Sequence, residues 1–166
     1  MAKLNYLTLY QSCLANAGEL VEESQILFER AKYARAYALA FTALEEISKS
    51  QLAADVYTGF IEEQEFNDAC RDHRKKITRM EWATEDAKRY LAMPEEDYFD
   101  VREPTFQNRM SAMYVDFANG TITTPGQLID AQQARHIIHT VEVALQRILE
   151  ITEYYGNRIG TKGFMA

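Results

Sequence analysis

An all-α, antiparallel up-and-down bundle of four long helices and one shorter helix is the fold these 166 residues predict. Three observations carry the prediction. Apolar residues recur at three- and four-residue steps over long stretches, and no alternating run of strand type interrupts them. Seven Gly and three Pro leave little turn chemistry for a β fold. A hydrophobic content of 47% in a chain of this length suits one domain that closes its core without disulfides or metals.

In the first helix Leu7, Tyr10, Leu14, Ala17, Val21 and Phe28 form one apolar stripe. The second spans residues 33–57, with Tyr37, Ala40, Phe41, Leu44, Ile47, Leu52 and Val56 inward, alanines that allow close packing, and Thr58-Gly59 as its stop. A third covers residues 63–90, with Phe66, Cys70, Ile77 and Met80 on one side, and Pro94 forbids its continuation. Residues 93–104 are acidic, aperiodic and read as a loop. The shorter helix takes residues 105–117 and closes at Asn119-Gly120, followed by a turn over 121–125. The last helix, residues 127–155, carries Ala134, Ile137, Ile138, Val141, Leu145, Ile148 and Ile151. Gly156, Gly160 and Gly163 mark a loose tail, so one domain over 1–166 has its core in about 5–155. Short links between long amphipathic helices make sequential neighbours antiparallel.

Charge and cysteine content narrow the function. The start has no basic region followed by an apolar core, and no run approaches the ~18 apolar residues that span a bilayer, so the expected location is the cytoplasm, with no membrane partner. Eighteen basic against twenty-five acidic side chains give a net charge of −7, which disfavours non-specific nucleic-acid binding, and no DNA partner is expected. RNA contact would need a local patch, and Arg71, His73, Arg74, Lys75, Lys76 and Arg79 supply one. Cys13 and Cys70 lie far apart among apolar residues and read as small core residues rather than zinc ligands. No histidine follows Glu at the Glu-x-x-His spacing of a di-iron bundle, so no metal and no cofactor is expected.

The chemistry-bearing residues cluster by helix geometry. Glu45 and Glu46 each lie within one turn of Lys49, and Glu45 shares its side of the helix with Phe41, Ser48 and Leu52. About a hairpin turn centred near Ile61, Lys49 comes level with His73 and Glu46 with Lys76. Glu46, Lys49, His73 and Lys76, with Glu45 nearby, can therefore form one polar layer between the second and third helices. Such a layer must be paired internally or open to a cleft, because an unpaired buried charge is too costly. A structural ion network and a catalytic site both fit it.

These residues resemble the AbiV-type abortive infection proteins, a branch of the HEPN helical superfamily. The resemblance rests on Asn16-Ala17, on the Ala40 to Lys49 stretch, and on His73-Arg74-Lys75-Lys76 as a His-x-x-Lys element. Arg109, Tyr114-Val115-Asp116, Gly120 and Pro125 follow in the same order. It implies phage defence, a homodimer and an RNA-directed activity, with Glu45, Arg74, Arg109, Tyr114 and Asp116 as binding residues. Many HEPN proteins are metal-independent ribonucleases in which four to six residues stand between an arginine and the histidine that follows it. Here the nearest imitation, Arg135 to His139, has three intervening residues, and its shared face with Glu142 and Gln146 reads as solvated. If the polar layer is catalytic, His73 or Glu46 takes the proton of a ribose 2′-hydroxyl and Lys49 or Lys76 stabilises the phosphorane. The alternative is a non-catalytic helical module that binds a protein or nucleotide partner.

Overall fold

The computed structural model describes residues 4–71, 103–154 and 159. The described elements are α1 (Tyr6–Glu29), α2 (Tyr33–Tyr57), α3 (Glu63–Arg71), α4 (Glu103–Met113), β1 (Asp116–Ala118), β2 (Thr121–Thr123), α5 (Pro125–Leu128) and α6 (Ala131–Tyr154). The bundle is helical as its periodicity predicts, and α2 coincides with the expected helix over 33–57. The expected third helix is described only as far as Arg71. The remainder of that helix and the loop over 93–104 fall largely outside the described residues.

Helix α2 is the axis of the fold, packed by α1, α3, α4 and α6. Tyr37, Phe41, Leu44 and Ile47 are wholly buried, and so are Ala36, Ala40, Ala43, Ala53 and Ala54. A helix covered on several sides cannot keep a narrow apolar stripe, and its alanines let neighbouring backbones approach. Burial of each large apolar side chain contributes roughly 1.5–3 kcal/mol. Helix α1 presents Tyr6, Tyr10, Leu14, Ala17 and Val21 to this core. Leu145 lies against Gly18, and Glu142 meets Gln25, so α6 runs antiparallel to α1.

The ends of the helices follow local chemistry. Asn5 Oδ1 accepts from the Thr8 N–H at 3.1 Å and caps α1. Helix α2 closes on Gly59 (φ +76°), with Gly59 N–H donating to Val56 O and Phe60 N–H to Asp55 O. Helix α1 closes by the same motif on Ala31 (φ 54°), a conformation that a side chain disfavours. The three-residue turn from Arg30 to Lys32 then returns the chain antiparallel as α2.

Two expectations are corrected. The shorter helix ends at Met113, not at 117, and Asn119-Gly120 is the turn of a β-hairpin rather than a helix stop. Both turn residues have positive φ (52° and 77°), as a two-residue hairpin requires, and the pairs are Asp116–Thr123, Phe117–Ile122 and Ala118–Thr121. The last helix does not run unbroken from 127. Pro125 starts the single turn of α5, Ile129 is extended (φ −117°, ψ 115°), and Asp130 caps α6 afresh. Asp130 Oδ1 accepts from the Gln133 N–H at 2.8 Å, while Gln133 Oε1 accepts from the Asp130 N–H at 3.0 Å.

Candidate functional site

The second helix delivers its two glutamates to different neighbours, because successive residues point about 100° apart on a helix. Glu45 is buried towards α4, where Arg109 Nη2 stands 3.3 Å from Glu45 Oε2. The Arg109 guanidinium also lies 5.7 Å from the centre of the Phe41 ring, a cation–π contact at the same spot. Arg109 and Tyr114 line a groove of about 300 Å³ with Arg35, Thr42, Met110 and Met113. Arg35 donates to the Met113 carbonyl at 3.1 Å and so ties α2 to the end of α4. Asp116 does not join this groove's lining; its carboxylate accepts from the Phe117 N–H at 2.8 Å at the start of β1.

Glu46 turns instead towards α1. It accepts from Lys49 Nζ at 2.5 Å, and the pair is half-buried. Burial is the largest single influence on Lys49 and opposes its charge, but the hydrogen bond to Glu46 and the electrostatic influence of Cys13, Glu46 and Cys70 together outweigh it, and the pKa of Lys49 rises. Cys13 of α1 lies beside the pair. Burial is the main reason its thiol is pushed up to about 12, with Lys49 opposing and Glu46 reinforcing. A neutral thiol and a closed ion pair make this a settled polar contact rather than a nucleophile. His73, Arg74 and Lys76 lie outside the described residues, so the described half of the expected layer is Glu46 and Lys49.

A larger cavity opens elsewhere, on the face that sequence reasoning assigned to solvent. Between the C-terminal part of α1 and the N-terminal part of α6 is a cleft of about 680 Å³, within the range of small-ligand sites. Gln25, Phe28 and Glu29 line one side; Arg135, His136, His139 and Glu142 line the other. The Arg135 guanidinium sits 5.3 Å from the centre of the Phe28 ring and has no carboxylate partner among the described residues. Glu142 is held by two neighbours: Gln25 Nε2 donates to its Oε1, and its Oε2 stands 3.7 Å from His139 Nδ1. At that distance the Glu142 carboxylate is a charged neighbour of the half-exposed His139 ring and not its hydrogen-bond partner.

The signal for the cleft was the spacing of Arg135, His136, His139 and Glu142, which places all four on adjoining faces of one helix. What the spacing could not show is that α1 supplies an aromatic wall and an amide opposite them. Among the described residues, no group of three His, Cys, Asp or Glu side chains could hold a metal ion. Nor is any described helix long and apolar enough to cross a membrane.

Among curated proteins and solved structures, nothing matches the chain. A model of the HEPN_AbiV family, described as AbiV, matches residues 5–146, a span that holds α1 to α5, the hairpin, most of α6 and both cavities. With most of its length matched in this way, the chain belongs to the HEPN_AbiV family.

Proposed function

We propose that this protein is a phage-defence effector of the abortive-infection type that acts on RNA without a metal, and that the α1–α6 cleft is where it does so. The family assignment supports the biological role. The observation that carries the chemistry is the meeting of Arg135, His136 and His139 in one cleft, with the Glu142 carboxylate beside His139. Imidazole is the side chain able both to take and to give a proton near neutral pH. His139 takes the proton of a ribose 2′-hydroxyl as that oxygen attacks phosphorus. His136 gives a proton to the departing 5′-oxygen as the P–O5′ bond breaks. Arg135, a planar fork already braced on Phe28, pairs with the non-bridging oxygens.

The polar layer of Glu46, Lys49, His73 and Lys76 is the competing seat of the same chemistry, supported by the half-buried Glu46–Lys49 pair beside Cys13. One experiment separates them. Purified protein is incubated with RNA in EDTA, and the His139→Ala, Arg135→Ala and Lys49→Ala variants are compared with it in the tube and in phage-challenged cells. Cleavage and protection lost in His139→Ala and Arg135→Ala, but kept in Lys49→Ala, are the expected result. The reverse pattern transfers the chemistry to the α2–α3 layer. No cleavage by the unaltered protein, with protection intact, leaves a non-catalytic interaction module.

A further inference from the structure

The groove between α2 and α4 takes no part in the RNA chemistry, yet it has the makings of a ligand site. It measures about 300 Å³, at the lower end of the range for small-molecule sites. Arg35, Ala38, Leu39 and Thr42 line it from one stripe of α2, at three- and four-residue steps. Arg109, Met110 and Met113 line it from α4, and Tyr114 follows at the end of that helix. Arg35 meets Met113 and Glu45 meets Arg109, so the two helices run antiparallel and an arginine stands towards each end of the groove.

The two cations differ in how far their charge is met. Arg109 is paired with Glu45 and laid against the Phe41 ring. Arg35 has no carboxylate partner among the described residues. There its Nη1 alone is engaged, on the Met113 carbonyl at 3.1 Å and the Met113 sulfur at 3.7 Å. The rest of the guanidinium is left to grip a carboxylate through parallel N–H bonds. On a chain of net charge −7, an unmatched arginine beside an apolar wall calls for a ligand of one negative charge. Glu45 repels that charge from the far end, which fixes the direction in which the ligand lies. The walls set its body. Leu27, Ala38 and Leu39 are apolar, and the exposed thioethers of Met110 and Met113 adapt in shape and favour ring edges. Tyr114, also exposed, adds an aromatic surface. The space admits one or two fused rings and excludes a partner helix, which is roughly 10–12 Å across.

We propose that this groove binds a small planar aromatic carboxylate, with the carboxylate on Arg35 and the rings among Met110, Met113 and Tyr114. The proposal stands apart from the RNA chemistry, since neither Arg35 nor Arg109 lines the α1–α6 cleft. Calorimetric titration of the full chain with naphthoate reads it. One molecule should bind per chain, and naphthamide, of the same shape without the charge, should bind at least ~10-fold more weakly. Arg35→Met, which keeps an unbranched side chain, should weaken naphthoate binding by a similar factor. Met110→Glu should do the same from an exposed site, by setting a second carboxylate on the wall. Arg135→Met removes another arginine that lacks a carboxylate partner, in the α1–α6 cleft, and should leave the affinity unchanged. No binding at millimolar naphthoate overturns the proposal. So do equal affinities for naphthoate and naphthamide, an unchanged affinity in either Arg35→Met or Met110→Glu, and binding that disappears with Arg135→Met.

Discussion

Replacing Arg109 by Met tests how far the Glu45 carboxylate depends on its partner. The substitution keeps an unbranched side chain against Phe41 but removes the charge 3.3 Å from Glu45 Oε2. Breaking a fully buried pair costs about 3–5 kcal/mol, because the surviving charge stays desolvated. The Arg109 side chain is 23% exposed, so water reaches the pair and lowers that figure to roughly 2–3 kcal/mol. Loss of the contact with Phe41 adds about 0.5–1 kcal/mol. With a urea slope of about 1–3 kcal/mol per molar, the unfolding midpoint should fall by roughly 1–4 M. Adding Glu45→Gln to Arg109→Met should recover at least ~1 kcal/mol, since the buried charge that faced Arg109 is then gone. A loss below ~0.5 kcal/mol, or a double variant as unstable as the sum of the two single ones, would refute the reasoning.

Three further outcomes follow from local features. Ala31→Gly should raise stability by about 0.5–1 kcal/mol, because Ala31 closes α1 at φ 54° where glycine carries no side-chain penalty; thermal unfolding reads it. Asp130→Ala should lower stability by about 1 kcal/mol by removing half of the reciprocal cap of α6, and Asp130→Asn should restore most of it. The Cys13 thiol sits at about 12 in the fold against an ordinary 9.0, so above pH 9 the unfolded chain releases a proton that the folded chain keeps. Its share of stability is therefore whole below pH 9 and declines towards pH 12 by roughly 1.4 kcal/mol per pH unit, a slope that Cys13→Ala should remove from urea midpoints measured across that range.

What was legible in the sequence was what one helix can announce alone. The limits of α2 could be read because Gly59 supplies a left-handed cap at one end and the apolar pattern begins sharply at the other. The burial of Glu45 could be read from the company it keeps on its helix face, Phe41, Ser48 and Leu52, all of them buried. The hairpin was misassigned although its signal was present. Asn-Gly stops helices and also turns hairpins, and Met110 to Phe117 is apolar enough to pass for a helical stretch. Two contacts decide against the longer helix: the Arg35 guanidinium draws on the Met113 carbonyl, and Asp116 turns onto the next backbone N–H. Ile129 likewise looks continuous with α6 in the pattern of apolar residues, yet the Asp130–Gln133 box behind it starts the helix anew.

The cleft was illegible for a different reason, and that reason bears on its chemistry. Its two sides come from segments more than a hundred residues apart, so no spacing within α6 reveals that Phe28 and Gln25 face Arg135 and Glu142. A solvated helix face and a lined cleft have the same one-dimensional pattern. They differ only in what stands opposite. Here the opposite wall contacts Arg135 and Glu142. An aromatic ring beside Arg135 contacts the guanidinium without neutralising it, and an amide on Glu142 fixes the carboxylate that stands beside His139. Both bracing contacts come from α1, which carries none of the family's Arg and His spacing. Gln25→Ala should therefore leave the helices intact, since the side chain is exposed, and still weaken any activity that depends on the His139 ring. Lowered RNA cleavage in Gln25→Ala, with an unchanged urea midpoint, is the expected result. Full activity in that variant would mean that Glu142 keeps its place beside His139 unaided, and that the wall supplied by α1 only shapes the cleft.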